Sequence, residues 1–267
     1  MKHIHTAFAV IATLLLASCG GSSLTTTTIK AEGLRFGTLG TFTVEGPNLD
    51  KGITFVAPKC LNVKELDGGT QTVKTYTCTP NVAGTMPVII VGGQTILHTT
   101  NFEIPTPQVK VSTSLGDMVI DLDPKAAPLA VSNFLKYVNK DFYTNLIFHR
   151  VVPGFVIQAG GFNADLVASP TDASIKLEVN NGLSNIRGTV AMARMTELDS
   201  ATSQFYINLA DNTTLDTING GYAVFGSVRA GLEAVDAIAA VPTTTGSNGM
   251  ADVPVTPVVI HSIVQTQ

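Results

Sequence analysis

The sequence predicts a mainly β fold: a closed antiparallel β-barrel capped by two helices, preceded by a small all-β domain. Three observations lead there. The chain is 45% hydrophobic and only 13% charged, rich in Thr, Val and Gly and free of Trp, which suits a β-rich globular protein and argues against disorder. Beyond residue 109, many short strand-like segments surround only two stretches of helical period. Between residues 33 and 104, turn signals recur and no helical period appears. At 267 residues the chain can bury two modest cores. A net charge of −4 and the lack of any Lys/Arg run exclude a nucleic-acid footprint.

Residues 1–18 read as a leader. Lys2 precedes an apolar core from Ala7 to Ala17, too short for a bilayer-spanning helix, which takes about 20 residues. Leu16-Ala17-Ser18-Cys19 resembles the lipobox of bacterial lipoproteins, which implies cleavage before Cys19 and lipid on that cysteine. Gly20 rather than Asp follows, which in that family implies outer-membrane sorting. The chain is therefore expected in the bacterial cell envelope, lipid-anchored and facing the periplasm. Residues 19–32, with the polar run GSSLTTTT, are expected to form a flexible tether.

Residues 33–104 form the expected small all-β domain. Gly46-Pro47-Asn48, Asp67-Gly68-Gly69, Thr79-Pro80-Asn81 and Gly92-Gly93 punctuate the strand candidates ITFVA (53–57), TVKTYTC (72–78) and PVIIV (87–91). Tyr76-x-Cys78 resembles the tyrosine corner of immunoglobulin-like sandwiches, although Cys60 lies too near Cys78 for that fold's inter-sheet bridge. An exported protein meets oxidising conditions, so Cys60 and Cys78 are expected to form a disulfide. His98, His149 and His261 show no metal-ligand spacing with the cysteines or each other, so neither metal nor cofactor is expected. Nothing catalytic is legible in this stretch, which reads as a spacer or partner-binding module.

Pro105 and Pro107 make 105–108 an extended linker. The second domain, 109–267, opens on VKVSTSLGDMVIDL (109–122), a hairpin about Leu115-Gly116-Asp117. Val131, Phe134, Leu135 and Val138 give a helix one apolar face, with Pro128 in its first turn. FHRVVPGFVIQ (148–158) reads as a hairpin around the two-residue turn Pro153-Gly154, and a polar loop follows to about residue 175. KLEVN (176–180), GTVAMA (188–193), SQFYINLA (203–210) and YAVFGSV (222–228) are further strands. GLEAVDAIAAV (231–241) is the second helix, with Leu232, Val235 and Ile238 inward, and VTPVVIHSIVQ (255–265) closes the domain. Phe148, Phe205 and Phe225 are expected in its core.

Arg150 and Gln158 bracket the apolar run of the central hairpin. Such groups rarely enter a core unpaired, so the hairpin reads as presenting them to a ligand. FHRVVPGFVIQAGG (148–161), RGTVAMAR (187–194), SATSQFYINLADN (200–212) and YAVFGSV (222–228), in this order, resemble the cyclophilins, the peptidyl-prolyl cis/trans isomerases. AMAR and DSATSQF bring the likeness closest to the bacterial branch. The resemblance spans 109–267 and implies a cyclophilin-like barrel that binds proline-containing segments of exported proteins and rotates their X-Pro bonds. It implies a catalytic set of Arg150, Phe155 and Gln158, with Arg150 at the substrate proline's amide. Phe155 and Val156 would floor the proline pocket, and Gln158 would hydrogen-bond near the peptide. Ala193 and Arg194 would lie along the peptide backbone, with Gln204, Tyr206, Leu215 and Tyr222 completing the substrate site. Tyr206 replaces the usual pocket Phe, Thr214 a Trp or Phe, and Tyr222 a frequent His. A monomer is expected.

That chemistry suits these residue types. An X-Pro amide has a rotation barrier of about 18–20 kcal/mol because the nitrogen lone pair is delocalised. Catalysis needs no nucleophile, only stabilisation of the twisted state in which that lone pair is free. A permanently charged guanidinium can donate to it. His149 reads as a core residue, and with no Gly-x-Ser-x-Gly elbow a hydrolase is set aside. The alternative is a non-catalytic proline-peptide binder, a chaperone or docking module of the envelope.

Overall fold

The computed structural model describes residues 26–267. The leader, Cys19 with its expected lipid, and residues 19–25 of the expected tether lie outside them. The described chain divides into two compact units, separated between Ile104 and Pro105.

The first unit contains seven strands: β1 Thr28–Glu32, β2 Gly40–Glu45, β3 Ile53–Val56, β4 Cys60–Glu65, β5 Val73–Pro80, β6 Gly84–Gly92 and β7 Thr95–Ile104. They form two sheets, β1-β2-β5-β4 and β3-β6-β7. This is the strand order of the constant-type immunoglobulin sandwich. Phe42 of β2 meets Phe55 of β3 at 5.2 Å and Phe102 of β7 at 5.5 Å between ring centroids, so the two sheets share one core. Alternation of buried and partly exposed positions along β2 is what a strand with one face in that core requires.

Two expectations need correction here. Thr28–Glu32 is a strand rather than tether, because TIKAE alternates: Ile29 and Ala31 are half-covered and Lys30 pairs outward with Glu45 at 2.9 Å. Tyr76 is not a tyrosine corner either. It lies on the fifth strand, not the sixth, stacks on Phe55 at 4.7 Å, and donates its hydroxyl to Glu65 of neighbouring β4. Cys60 and Cys78 are bonded, with Cα atoms 5.7 Å apart, and join β4 to β5 within one sheet.

The second unit contains β8 Gln108–Thr113, β9 Gly116–Leu122, α1 Pro128–Val138, β10 Leu146–Val152, β11 Val156–Asn163, β12 Thr189–Met192, β13 Phe205–Asn208 and β14 Val224–Ala230. α2 Leu232–Ala239, the short pair β15 Thr243–Thr244 and β16 Val253–Pro254, and β17 Ile260–Gln265 complete it. Eight strands form one antiparallel sheet in the order β10-β11-β13-β12-β14-β9-β8-β17. Its ends nearly meet: Ile147 bridges to Val259, and the Phe148 and Asn145 N–H groups donate to the Val258 and Ile260 carbonyls at 3.0 and 2.9 Å. The result is a nearly closed barrel. Phe134 of α1 plugs it, 5.4 Å from Phe205 and 5.3 Å from Phe225, with Phe148 equally buried. Pro128 opens α1 at a position that needs no amide hydrogen, and Val131, Phe134, Leu135 and Val138 all face inward.

Three further differences from the sequence expectation have local causes. KLEVN forms no strand. Its Leu177 N–H goes to the Asp199 carboxylate at 2.9 Å, and Glu178 caps α1 by accepting from the Leu129 and Ala130 N–H groups at 2.9 and 2.8 Å. Leu232, in the first turn of α2, lies over Gly188 and stays 38% exposed, while Ala234 joins Val235 and Ile238 inside. The central hairpin turns through three residues, not two. Val152 pairs with Val156, leaving Pro153, Gly154 and Phe155 as the loop. The Phe155 N–H donates to the Val152 carbonyl at 3.0 Å, and Gly154 has φ 71°, the signature of a type II turn with Pro then Gly at its centre.

Candidate active site

Four positions on adjacent strands, Val156, Ala191, Tyr206 and Val224, build a buried apolar patch on the face of the barrel wall opposite Phe205 and Phe225. Phe155, Ala193, Leu215 and Tyr222 pack around it from the hairpin tip and neighbouring loops. Val156 and Tyr206 of the patch and these four, together with Arg150, Gln158 and Arg194, line a cleft of about 330 Å³. Nine of the ten residues expected at the site therefore line one cavity. The tenth, Gln204, lines an adjoining cleft of about 190 Å³ with Met195, Ser200 and Thr202, while Gln158, Ala193 and Arg194 border both. Thr214 is exposed and lines neither.

Arg150 and Gln158 reach the cleft together because they are direct partners across the β10–β11 ladder. The three-residue loop sets this register, and a bulge between Phe148 and Arg150 follows it. The Arg150 guanidinium stands 5.9 Å from the centroid of the Phe155 ring, and its Nε lies 3.8 Å from an Asp252 carboxylate oxygen. Its side chain is 36% exposed, so it is anchored and still open to a ligand. Gln158 donates from Nε2 to Gln204 Oε1 at 2.8 Å, which fixes the amide at the boundary between the two clefts.

Arg194 is committed elsewhere. Its guanidinium donates to the carbonyls of Met195 at 2.9 Å, Gly221 at 2.9 and 3.1 Å, and Asn219, and lies 4.6 Å from the Tyr222 ring centroid. Its side chain thus braces the loop that carries Tyr222, and what it offers a ligand is main chain. His149 is buried against Phe162. Burial, with the Arg150 charge beside it, pushes its pKa down to about 4, and it does not line the cleft.

The Tyr206 hydroxyl finds a buried partner. It donates to Asn185 Oδ1 at 2.7 Å, away from the cleft, and burial raises its pKa far above the ordinary phenol value. Asn185, Asn208, Asn212 and Asp216 form a polar cluster behind the apolar patch, and the sequence reading missed all four. Asn208 and Asn212 lie inside the quoted segment SATSQFYINLADN, but nothing local marks Asn185, whose partners lie some 20–40 residues away in sequence.

Among the described residues lining the main cleft there is no carboxylate, imidazole or thiol. Among the described residues, no group of three His, Cys, Asp or Glu side chains is placed to hold a metal ion. What the cleft offers is an apolar seat with a fixed, charged donor at its rim. That arrangement can hold a small apolar ring and favour a nearby electron pair without forming or breaking a bond.

Comparison with known proteins agrees with this geometry. Residues 108–265 match the profile of the family described as cyclophilin type peptidyl-prolyl cis-trans isomerase/CLD. The chain is 49% identical over 156 residues to peptidyl-prolyl cis-trans isomerase A of Dickeya dadantii, covering 58% of this chain and 82% of that one. It is 47% identical over 161 residues to peptidyl-prolyl cis-trans isomerase B of Escherichia coli, covering 58% and 97%. Among solved structures, a cyclophilin type peptidyl-prolyl cis-trans isomerase of Cryptosporidium parvum superposes with a TM-score of 0.51 at 25% identity, covering 60% of this chain and 98% of that one. The same protein has also been solved in the presence of the dipeptide Ala-Pro.

Proposed function

The chain belongs to the cyclophilin-type peptidyl-prolyl cis-trans isomerase family, and from that membership we propose a mechanism and a setting for its activity. The substrate proline ring sits in the cleft over Val156 and Tyr206, held by Phe155, Leu215 and Tyr222. Arg150 donates to the prolyl nitrogen as the amide twists. In the planar ground state that lone pair is delocalised, so the interaction exists only in the twisted state and lowers the barrier. Gln158 and the main chain at Ala193 and Arg194 hold the flanking peptide while the carbonyl preceding proline swings. The carrying observation is Arg150 beside Gln158 on the rim of an apolar cleft. The Ala-Pro dipeptide in the Cryptosporidium structure supports the substrate class.

The clients are exported proteins, met by a lipid-anchored monomer in the cell envelope, on the outer membrane facing the periplasm. The LASC segment ending at Cys19 and the Cys60–Cys78 bridge support this setting. Exchange NMR on a short Ala-Pro peptide tests the activity, using the chain without residues 1–19. Accelerated cis/trans exchange at catalytic enzyme concentration is expected. Shifted peptide signals without accelerated exchange would instead establish a binding module. Palmitate labelling of cells expressing the full chain, with Cys19→Ala as control, tests the anchor.

A further inference from the structure

We propose that Asn185 is the positioning residue of the proline pocket, holding its floor and two of its walls through one buried hydrogen-bond cluster. This rests on the isomerase reading of the cleft. Asn185 is fully buried. Its Oδ1 accepts from the Tyr206 hydroxyl at 2.7 Å and from Asn208 Nδ2 at 3.1 Å. Its Nδ2 donates to Asp216 Oδ1 at 2.8 Å and to the Tyr222 carbonyl at 3.2 Å. The main-chain N–H of Asn185 donates to the same Asp216 oxygen at 2.8 Å, and its carbonyl accepts from the Asn212 N–H at 2.7 Å. Asn212 in turn donates from Nδ2 to the Phe155 carbonyl at 2.8 Å.

The pocket is therefore wired to one residue, through its side chain and its main chain. Tyr206 and Tyr222 bond to Asn185 directly, Leu215 is joined through its neighbour Asp216, and Phe155 lies two hydrogen bonds away. Two of these residues most need such support. Leu215 sits in a short 3₁₀ turn, Thr213–Asp216, and Tyr222 follows a second, Ile218–Gly220, so neither has a strand ladder to fix it. Only an amide offers an acceptor on one side and a donor on the other at this size. An apolar replacement would strand the Tyr206 phenol and the Tyr222 carbonyl, and would leave Asn208 Nδ2 and Asp216 Oδ1 with one partner each, Thr189 and the Asn185 main-chain N–H.

Asn185→Asp is the discriminating change. It is isosteric and keeps an oxygen for Tyr206, but it sets a second oxygen against the Asp216 carboxylate. The full chain is assayed for kcat and KM on a proline peptide, for peptide affinity, and for the NMR signals of the Leu215 methyls and Tyr222 ring. The expected result is a loss of about tenfold in kcat/KM, the factor that 1.36 kcal/mol of barrier represents. KM rises, kcat falls, and the Leu215 and Tyr222 signals shift. Asn185→Asp with Asp216→Asn, which returns a donor to the pair, recovers part of the loss. A folded variant with wild-type kcat, KM and pocket signals overturns the inference, even if its melting temperature is lower. Should Asn185→Asp fail to fold, Asp216→Asn at its half-buried position reads the same cluster, with the same two signals expected to move. If the wild-type chain itself accelerates no exchange, the isomerase reading fails separately, and peptide affinity with the Leu215 and Tyr222 signals decides this inference alone.

Discussion

Arg150 and Gln158 are opposed partners across the β10–β11 ladder, so both side chains leave the sheet on one face. That relationship depends on the loop having three residues. A two-residue turn about Pro153-Gly154 would have put them on opposite faces, because side-chain direction alternates at every residue. One residue of loop length thus decides whether the Arg150 guanidinium and the Gln158 amide line the same cleft.

Replacing Arg150 with Ala is expected to cut kcat/KM by about 100-fold or more, the scale of removing one preorganised transition-state donor. Peptide affinity should fall much less, because Phe155, Val156 and Tyr206 still seat the ring. Exchange NMR beside a peptide titration separates the two quantities. Equal losses in both would mean that Arg150 binds the ground state and that the mechanism above is wrong.

Gly154→Ala tests the loop directly. Gly154 adopts φ 71°, and a Cβ there meets nothing within 4 Å, so the cost is backbone strain alone. Forcing an L-residue into this region costs about 1–2 kcal/mol. Urea unfolding of the barrel unit should show that loss, with Gly154→Asn losing less because Asn tolerates this region better. An unchanged midpoint would show that the turn relaxes to another type.

Much of this was legible from the chain. The barrel's strands and both helices follow from period and punctuation, and every residue lining the cleft except Leu215 lies in one of the four segments of family likeness. What stayed hidden was decided by long-range partners. KLEVN looks like a strand until Asp199 and the start of α1 claim its hydrogen bonds. The Tyr206 hydroxyl could be named as needing a partner, yet Asn185 could not be found, since no local pattern links positions 185 and 206. TIKAE holds only five alternating residues, and the low-complexity run before it hides their period.

Burial makes His149 a source of acid sensitivity. Its pKa is about 4 in the fold and 6.5 when free, so between those values the unfolded chain binds a proton that the native chain refuses. The stability this neutral histidine contributes is fully present above pH 6.5 and is lost as the pH falls toward 4. A shift of this size corresponds to roughly 3 kcal/mol. Urea midpoints of the barrel unit, read from its own NMR signals, should fall across that window. His149→Phe, an apolar ring that cannot titrate, should flatten the slope. A slope that persists unchanged in the variant would assign the acid sensitivity to other groups.

The Cys60–Cys78 bridge joins neighbouring strands 18 positions apart in sequence. A crosslink closing a loop of that size lowers the entropy of the unfolded chain, and the chain-entropy model gives about 3 kcal/mol. The bridge lies wholly in the first unit, so its loss should act there, lowering that unit's melting temperature by about 10–20 °C. Dithiothreitol tests the crosslink without introducing a cavity, whereas Cys→Ala changes would remove buried sulfur as well. The barrel carries neither cysteine and serves as the internal reference. If reduction left the first unit's transition in place, sandwich packing around Phe42 and Phe55 would be sufficient, and the bridge would be dispensable for folding.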